Sequence, residues 1–167
     1  MQVEELMTSK VFVVEQDDYI DRVFFLIHYE RIRHLPVVEK GKVIGIVSDR
    51  DLYKALGPKS NSSAFEVSAG KNSVELHMTS TKVRHIMRRG VITVKRETSA
   101  AEAAALMADN KIGALPVVDK DRKLVGILSS TDILRVFSKL ENPSEETEKK
   151  SRPEKTKVPK LKAANPN

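Results

Sequence analysis

Two serine and aspartate pairs, Ser48 with Asp51 and Ser129 with Asp132, are the residues of this 167-residue chain best placed to do chemistry. Each pair closes the same pattern of apolar residue, glycine, two apolar residues, serine, two variable residues, aspartate and apolar residue. It reads IGIVSDRDL over residues 44–52 and VGILSSTDI over 125–133. A serine followed three residues later by a carboxylate, directly after an apolar run, has the spacing of a helix start. The hydroxyl accepts from the third amide while the carboxylate reaches back. The same geometry suits a ligand, because the unpaired amides of a helix start favour phosphate and the serine hydroxyl adds a donor. A carboxylate would repel phosphate, so its binding role there is to accept the hydroxyls of a ribose. Cap and sugar-phosphate site both fit the spacing. Gly45 and Gly126, three residues upstream, remove a side chain where a ligand or a partner strand comes close. Both copies keep glycine, serine and aspartate together although the residues between serine and aspartate differ, whereas a cap would tolerate Thr, Asn or Asp in place of serine.

The elements that position these pairs also come twice. Met7 laid on Met87, an offset of 80, superimposes the two halves, and one extra residue in the second turn raises the offset to 81 for the glycine, serine and aspartate. Short β-branched runs at 11–14 and 91–94 suit a first strand. Ile20, Val23, Phe24 and Ile27 recur at helical spacing, and Ala101, Ala104, Ala105 and Ala108 do so around Leu106 and Met107. Ser99 with Glu102 starts the second helix as a capping box, and Asp18 is the expected single cap of the first. The shared LPVV (35–38 and 115–118) and the runs KVIGIVS and KLVGILS read as two strands joined by turns EKGK and DKDRK. Pro36 and Pro116 stand at strand starts, where a missing donor costs least. Short helices follow at 50–56 and from 131 to about 140. The fold class is therefore α/β (α+β), each unit running strand-helix-strand-strand-helix.

We expect a first domain at 1–57, a second at 81–140, an insert at 58–80 and a tail at 141–167. Phe65, Val67 and Ala69, then Val74, Leu76 and Met78, alternate with polar residues around a GKN turn. They suggest a hairpin over 64–78, with a partly ordered loop as the alternative. The tail, rich in Glu, Lys, Pro and Ser, has the composition of a disordered segment.

The formal charge of +6 is the balance of 29 basic and 23 acidic residues, and residues 149–167 alone carry seven of the basic ones against Glu154. Residues 149–167, the last part of the tail, thus match the whole net charge and imply weak, salt-sensitive nucleic-acid contact. With no Trp and 5% aromatics, stacking platforms for bases are scarce. The absence of Cys excludes disulfides, thiolate zinc sites and a cysteine nucleophile. His28, His34, His77 and His85 lack metal-site spacing. No nucleophile, base and orienter can be assembled, so a catalyst is not expected. No apolar run approaches a signal peptide or membrane span, and we expect a cytoplasmic protein with no membrane contact.

LPVV combined with Gly-x-x-Ser-x-x-Asp, present twice, resembles tandem cystathionine β-synthase (CBS) domains, the arrangement called a Bateman module. The resemblance covers roughly residues 5–139 apart from the insert. It implies two units packed through their sheets about a pseudo-twofold axis, with two clefts that bind adenine nucleotides (AMP, ADP, ATP) or S-adenosylmethionine as ligands rather than cofactors. It places Ser48 and Ser129 at phosphate and Asp51 and Asp132 at ribose. Val11 and Phe12, Val91 and Ile92, and the residues just before Pro36 and Pro116, would line the adenine. The copies differ where Arg33 and His34 precede Pro36 but Gly113 and Ala114 precede Pro116, and where Arg50 of the first copy has Thr131 opposite it in the second. This implies unequal clefts, with Arg33 supplying charge and His34 a donor to phosphate. The family further implies a homodimer and a non-catalytic sensor signalling in trans to an effector protein. The competing expectation is a nucleic-acid or ribosome-associated adaptor working through the tail.

Overall fold

Two β-hairpins organise the chain, one in each copy. The computed structural model describes residues 1–56 and 81–141, so the hairpin expected at 64–78 and the tail lie outside the described residues. Residues Met1–Leu134 form one compact unit, which holds the first copy and the second as far as Leu134, and the chain from Arg135 belongs to a second unit. In order, the elements are α1 (Val3–Leu6), α2 (Ile20–Tyr29), β1 (His34–Glu39), β2 (Lys42–Ser48) and α3 (Asp49–Leu56). A 3₁₀ turn (Val83–His85) then leads to α4 (Ala100–Asp109), β3 (Ala114–Val118), β4 (Leu124–Ser129) and α5 (Ser130–Glu141).

β1 pairs with β2, and β3 with β4, both antiparallel and in matching register. His34 faces Ser48 and Ala114 faces Ser129; Val37 faces Gly45 and Val117 faces Gly126. The alternation of apolar residues along β2 buries Val43, Gly45 and Val47 on one face. The first turn is tight because Lys40 and Gly41 both take left-handed φ (49° and 80°). In the second turn the Asp119 carboxylate accepts from the amides of Asp121 and Lys123.

The first strand of each copy is pared to one parallel bridge. Val14 donates to Pro36 and accepts from Val38, and Val94 does the same with Pro116 and Val118. Extending either ladder by two residues towards the N-terminus would require an N–H from Pro36 or Pro116, which proline lacks. Residues 11–13 and 91–93 therefore run beside their hairpins without regular pairing among the described residues.

Two expectations about the helices are corrected. Asp18 does not cap α2: its carboxylate accepts from the Glu15 amide and pairs with Arg22, and the N-cap is Tyr19, with no side-chain bond. In α4 the buried positions are Ala103 and Met107, with Leu106 packed against them, while Ala101, Ala105 and Ala108 are exposed. The 80-residue offset explains the register, since it lays Ala103 on Val23 and Met107 on Ile27, both buried in α2. Ser99 does cap α4, its hydroxyl accepting from the Glu102 amide at 3.1 Å.

Each copy's core is completed by the segment that leads into the other copy. Val83 and Met87 lie in the cluster of Val14, Ile20, Val23, Leu35, Val47 and Leu52. Val3, with Met7 packed alongside, lies in the cluster of Val94, Met107, Leu115, Val117 and Leu128. The main chain follows: Val3 and Glu4 donate to Thr98 and Arg96, while Val83 and Arg84 donate to Asp18 and Gln16.

Candidate functional site

The crossing segments bring a third strand-like stretch to each Ser–Asp pair. Arg88 exchanges two main-chain hydrogen bonds with Ile46, at 2.9 and 3.0 Å, and Thr8 exchanges two with Ile127, at 2.9 and 3.0 Å. Gly45 and Gly126 make this possible. A Cβ on Gly45 would lie 2.8 Å from Met87 Sδ and 3.1 Å from the Arg88 carbonyl, and one on Gly126 would collide with Met7 Sδ and lie 3.2 Å from the Thr8 carbonyl. The close approach expected at these glycines is that of a polypeptide segment.

At the C-terminal end of β2 and of β4 the chain turns into a helix through the same clasp. The Ser48 amide and hydroxyl both donate to Asp51 Oδ2, at 3.0 and 2.6 Å, and the Asp51 amide donates to the Ser48 hydroxyl at 3.3 Å. Ser129 and Asp132 repeat the three contacts at 2.9, 2.5 and 3.3 Å. This reciprocal geometry is a capping box with an added hydroxyl–carboxylate bond. It orders the first turn of α3 and α5 and holds each carboxylate at the strand–helix junction.

Asp51 has a further partner, because Arg88 Nε donates to its Oδ1 at 3.1 Å. Burial alone would raise the Asp51 carboxyl, but the two bonds from Ser48 and the Arg88 guanidinium outweigh it and hold the carboxyl below its ordinary range. Sequence reading passed over Arg88. The available signal was the offset, which sets a charged Arg88 against an uncharged Thr8.

Arg33 and His34 cross to the other copy. Arg33 Nη2 donates to Thr131 Oγ1 at 2.9 Å, within the Ser129–Asp132 turn. The His34 ring stands where a Cβ on Gly113 would be, 2.9 Å from its Cε1. Burial is the main reason that the His34 imidazole titrates below its ordinary value; Arg33 and Arg50 lower it further, while Asp49 and Asp51 oppose them. The two turns are also tied to their neighbouring main chain, Asp49 donating to Arg33 and Ser130 to Gly113.

The remaining expected site residues are distributed as follows. Arg50 is exposed and its amide donates to the Asp49 carboxylate. Thr131 is exposed at the start of α5. Pro36, Ala114 and Pro116 are buried in their strands, Val11, Val91 and Ile92 are half-buried, and Phe12 is 45% exposed. Among the described residues no cluster of three or more His, Cys, Asp or Glu is arranged to hold a metal. No described helix is long and apolar enough to cross a membrane.

The chain matches the profile of the CBS domain twice, over residues 3–58 and 83–139. It is 32% identical over 136 residues to the uncharacterized protein MJ1225 of Methanocaldococcus jannaschii, a match covering 81% of this chain and 47% of that protein. The chain thus spans about half the length of that relative. Among solved structures it resembles the CBS domain pair of MJ0100, determined in complex with 5′-methylthioadenosine and S-adenosyl-L-methionine. There the TM-score is 0.68 at 27% identity, covering 83% of this chain and 96% of that one. It also resembles CBSX2, a CBS-pair protein of Arabidopsis thaliana. The comparison with CBSX2 in complex with AMP gives a TM-score of 0.66 at 26% identity and covers 84% and 98% of the two chains.

Proposed function

The chain belongs to the CBS domain family, carrying two copies in tandem, and from that premise we propose that it is a non-catalytic sensor of an adenosine-containing ligand. AMP, ADP, ATP and S-adenosylmethionine all share the required adenosyl end. The first cleft is bounded by Ser48 and Asp51 and the second by Ser129 and Asp132. The helix starts and serine hydroxyls receive phosphate, the aspartates receive the ribose hydroxyls, and the unpaired stretches at Val11–Phe12 and Val91–Ile92 border the purine. Signalling runs in trans, from a homodimer to an effector protein, because a ligand acts by binding one arrangement of the copies more tightly than another.

The observation that carries this reading is the duplicated clasp. Two helix starts hold the same carboxylate against the same serine, in a chain whose solved relatives are described with AMP, S-adenosylmethionine and methylthioadenosine. The test is calorimetry of the full chain against AMP, ATP and S-adenosylmethionine, repeated with Asp51→Ala and Asp132→Ala. Each substitution is expected to weaken one class of site by about tenfold or more, the cost of removing a charged acceptor from two hydroxyls. If the best ligand binds both variants as it binds the wild type, the carboxylates serve the helix caps alone.

A further inference from the structure

The acceptor capacity of Asp51 is already largely committed. A carboxylate offers about four lone-pair sites, two on each oxygen. On Asp51, the Ser48 amide and hydroxyl take the pair on Oδ2, and Arg88 Nε takes one of the pair on Oδ1. A vicinal diol donates two protons and so needs both sites of Oδ1, of which Arg88 leaves one. The position of Arg88 is built in, since its main chain is bonded on both sides to Ile46 and its stem starts beside β2. Its side chain is 68% exposed whereas that of Asp51 is 11% exposed, so the guanidinium can swing into water while the carboxylate stays in place. Lys82 and Arg84, the neighbouring cations of this crossing segment, both pair with Asp17 rather than with Asp51.

Resting on the ribose-sensing reading, we propose that Arg88 is a built-in competitor for the ribose acceptor of the first cleft, and that a ribose binds there only by displacing it. Arg88 is in this sense a selectivity residue. It penalises ligands that use both hydroxyls, and it spares those that lack them. The second cleft carries the uncharged Thr8 at the equivalent position, bonded to Ile127 as Arg88 is to Ile46, which makes Arg88→Thr the natural comparison.

The test uses the full chain with Asp132→Ala, so that the first cleft is read alone, and two probes: AMP and 2′,3′-dideoxyadenosine 5′-monophosphate. Both carry the same phosphate, so any effect of Arg88 on phosphate cancels in the ratio of their affinities. Arg88→Thr is expected to raise the preference for AMP about threefold to fivefold, the range of a partly exposed ion pair. Arg89→Thr, which removes the same charge one residue away, is expected to leave the ratio unchanged. An unchanged or lowered ratio in Arg88→Thr overturns the competitor role while leaving ribose sensing intact. If AMP binds neither wild type nor variant, or binds without regard to Asp51→Ala, the sensing reading fails and the competitor role falls with it. Should Asp132→Ala not fold, the same ratio is read in the otherwise wild-type chain, at the site that Asp51→Ala removes.

Discussion

His34 stands directly across from Ser48 in the hairpin register and fills the space that the missing side chain of Gly113 leaves. Its imidazole is surrounded by Asp49, Arg33, Asp51 and Arg50, and burial dominates, so the neutral ring is favoured in the folded protein. The consequence for stability has a definite sign. Below the ordinary value of 6.5 the unfolded chain takes up a proton that the folded chain resists, so stability present at neutral pH is lost as pH falls through that value towards the lower folded one. Asp51 acts in a separate window: its carboxyl is depressed from 3.8, so its contribution is lost only at more acid pH. Urea unfolding followed from about pH 7.5 to about pH 5.5 is expected to show a falling midpoint, and His34→Gln is expected to flatten most of that fall. An equal slope in the variant would assign the loss to other groups.

At the scale of elements, the hairpins and the helices after each serine were legible because period, turn residues and proline position all agree there. The clasp residues were legible for the same reason, since a repeated spacing fixes side chains relative to one helix start. What escaped sequence reading is what depends on partners. The first strands shrink to a bridge through a donor missing on Pro36 and Pro116, a deficit carried by the neighbouring strand. Asp18 turned to Glu15 and Arg22, two local alternatives to a helix cap. The exchange of leading segments was also hidden, because an apolar face such as Val3 or Val83 fits either of two similar cores and chain proximity points to the wrong one. This exchange makes a distinct prediction. Val3→Ala and Val83→Ala, each at a fully buried position, are expected to cost about 2 kcal/mol apiece. Hydrogen exchange should place the damage crosswise: Val3→Ala speeds exchange at Val94 and Val118 of the second copy, and Val83→Ala at Val14 and Val38 of the first. Faster exchange at Val14 in Val3→Ala would contradict the crossed cores.

Across the whole molecule, the crossing of segments has a counterpart in charge. Arg33 belongs by sequence to the first copy, yet its guanidinium ends at Thr131, in the turn that carries Ser129 and Asp132. The equivalent position in the second copy is Gly113, which returns no side chain to the first turn, where Arg50 and the crossing Arg88 are the cations instead. Each turn thus receives an arginine from the other copy's sequence, Arg88 at Asp51 in the first and Arg33 at Thr131 in the second. If phosphate binds at the serines, losing Arg33 should be felt in the cleft of the copy that does not contain it. In a chain carrying Asp51→Ala, where the second cleft is read alone, Arg33→Ala is expected to weaken AMP about twofold to fivefold, as befits an exposed charge. Adenosine, which lacks the phosphate, should bind that chain as before. In a chain carrying Asp132→Ala the same substitution should leave AMP affinity unchanged, because the remaining cleft draws nothing from Arg33. An effect confined to the first cleft would mean that Arg33 leaves Thr131 when ligand arrives and serves its own copy. The pattern of loss across the two backgrounds therefore tells whether occupancy of one cleft is read through a residue of the other.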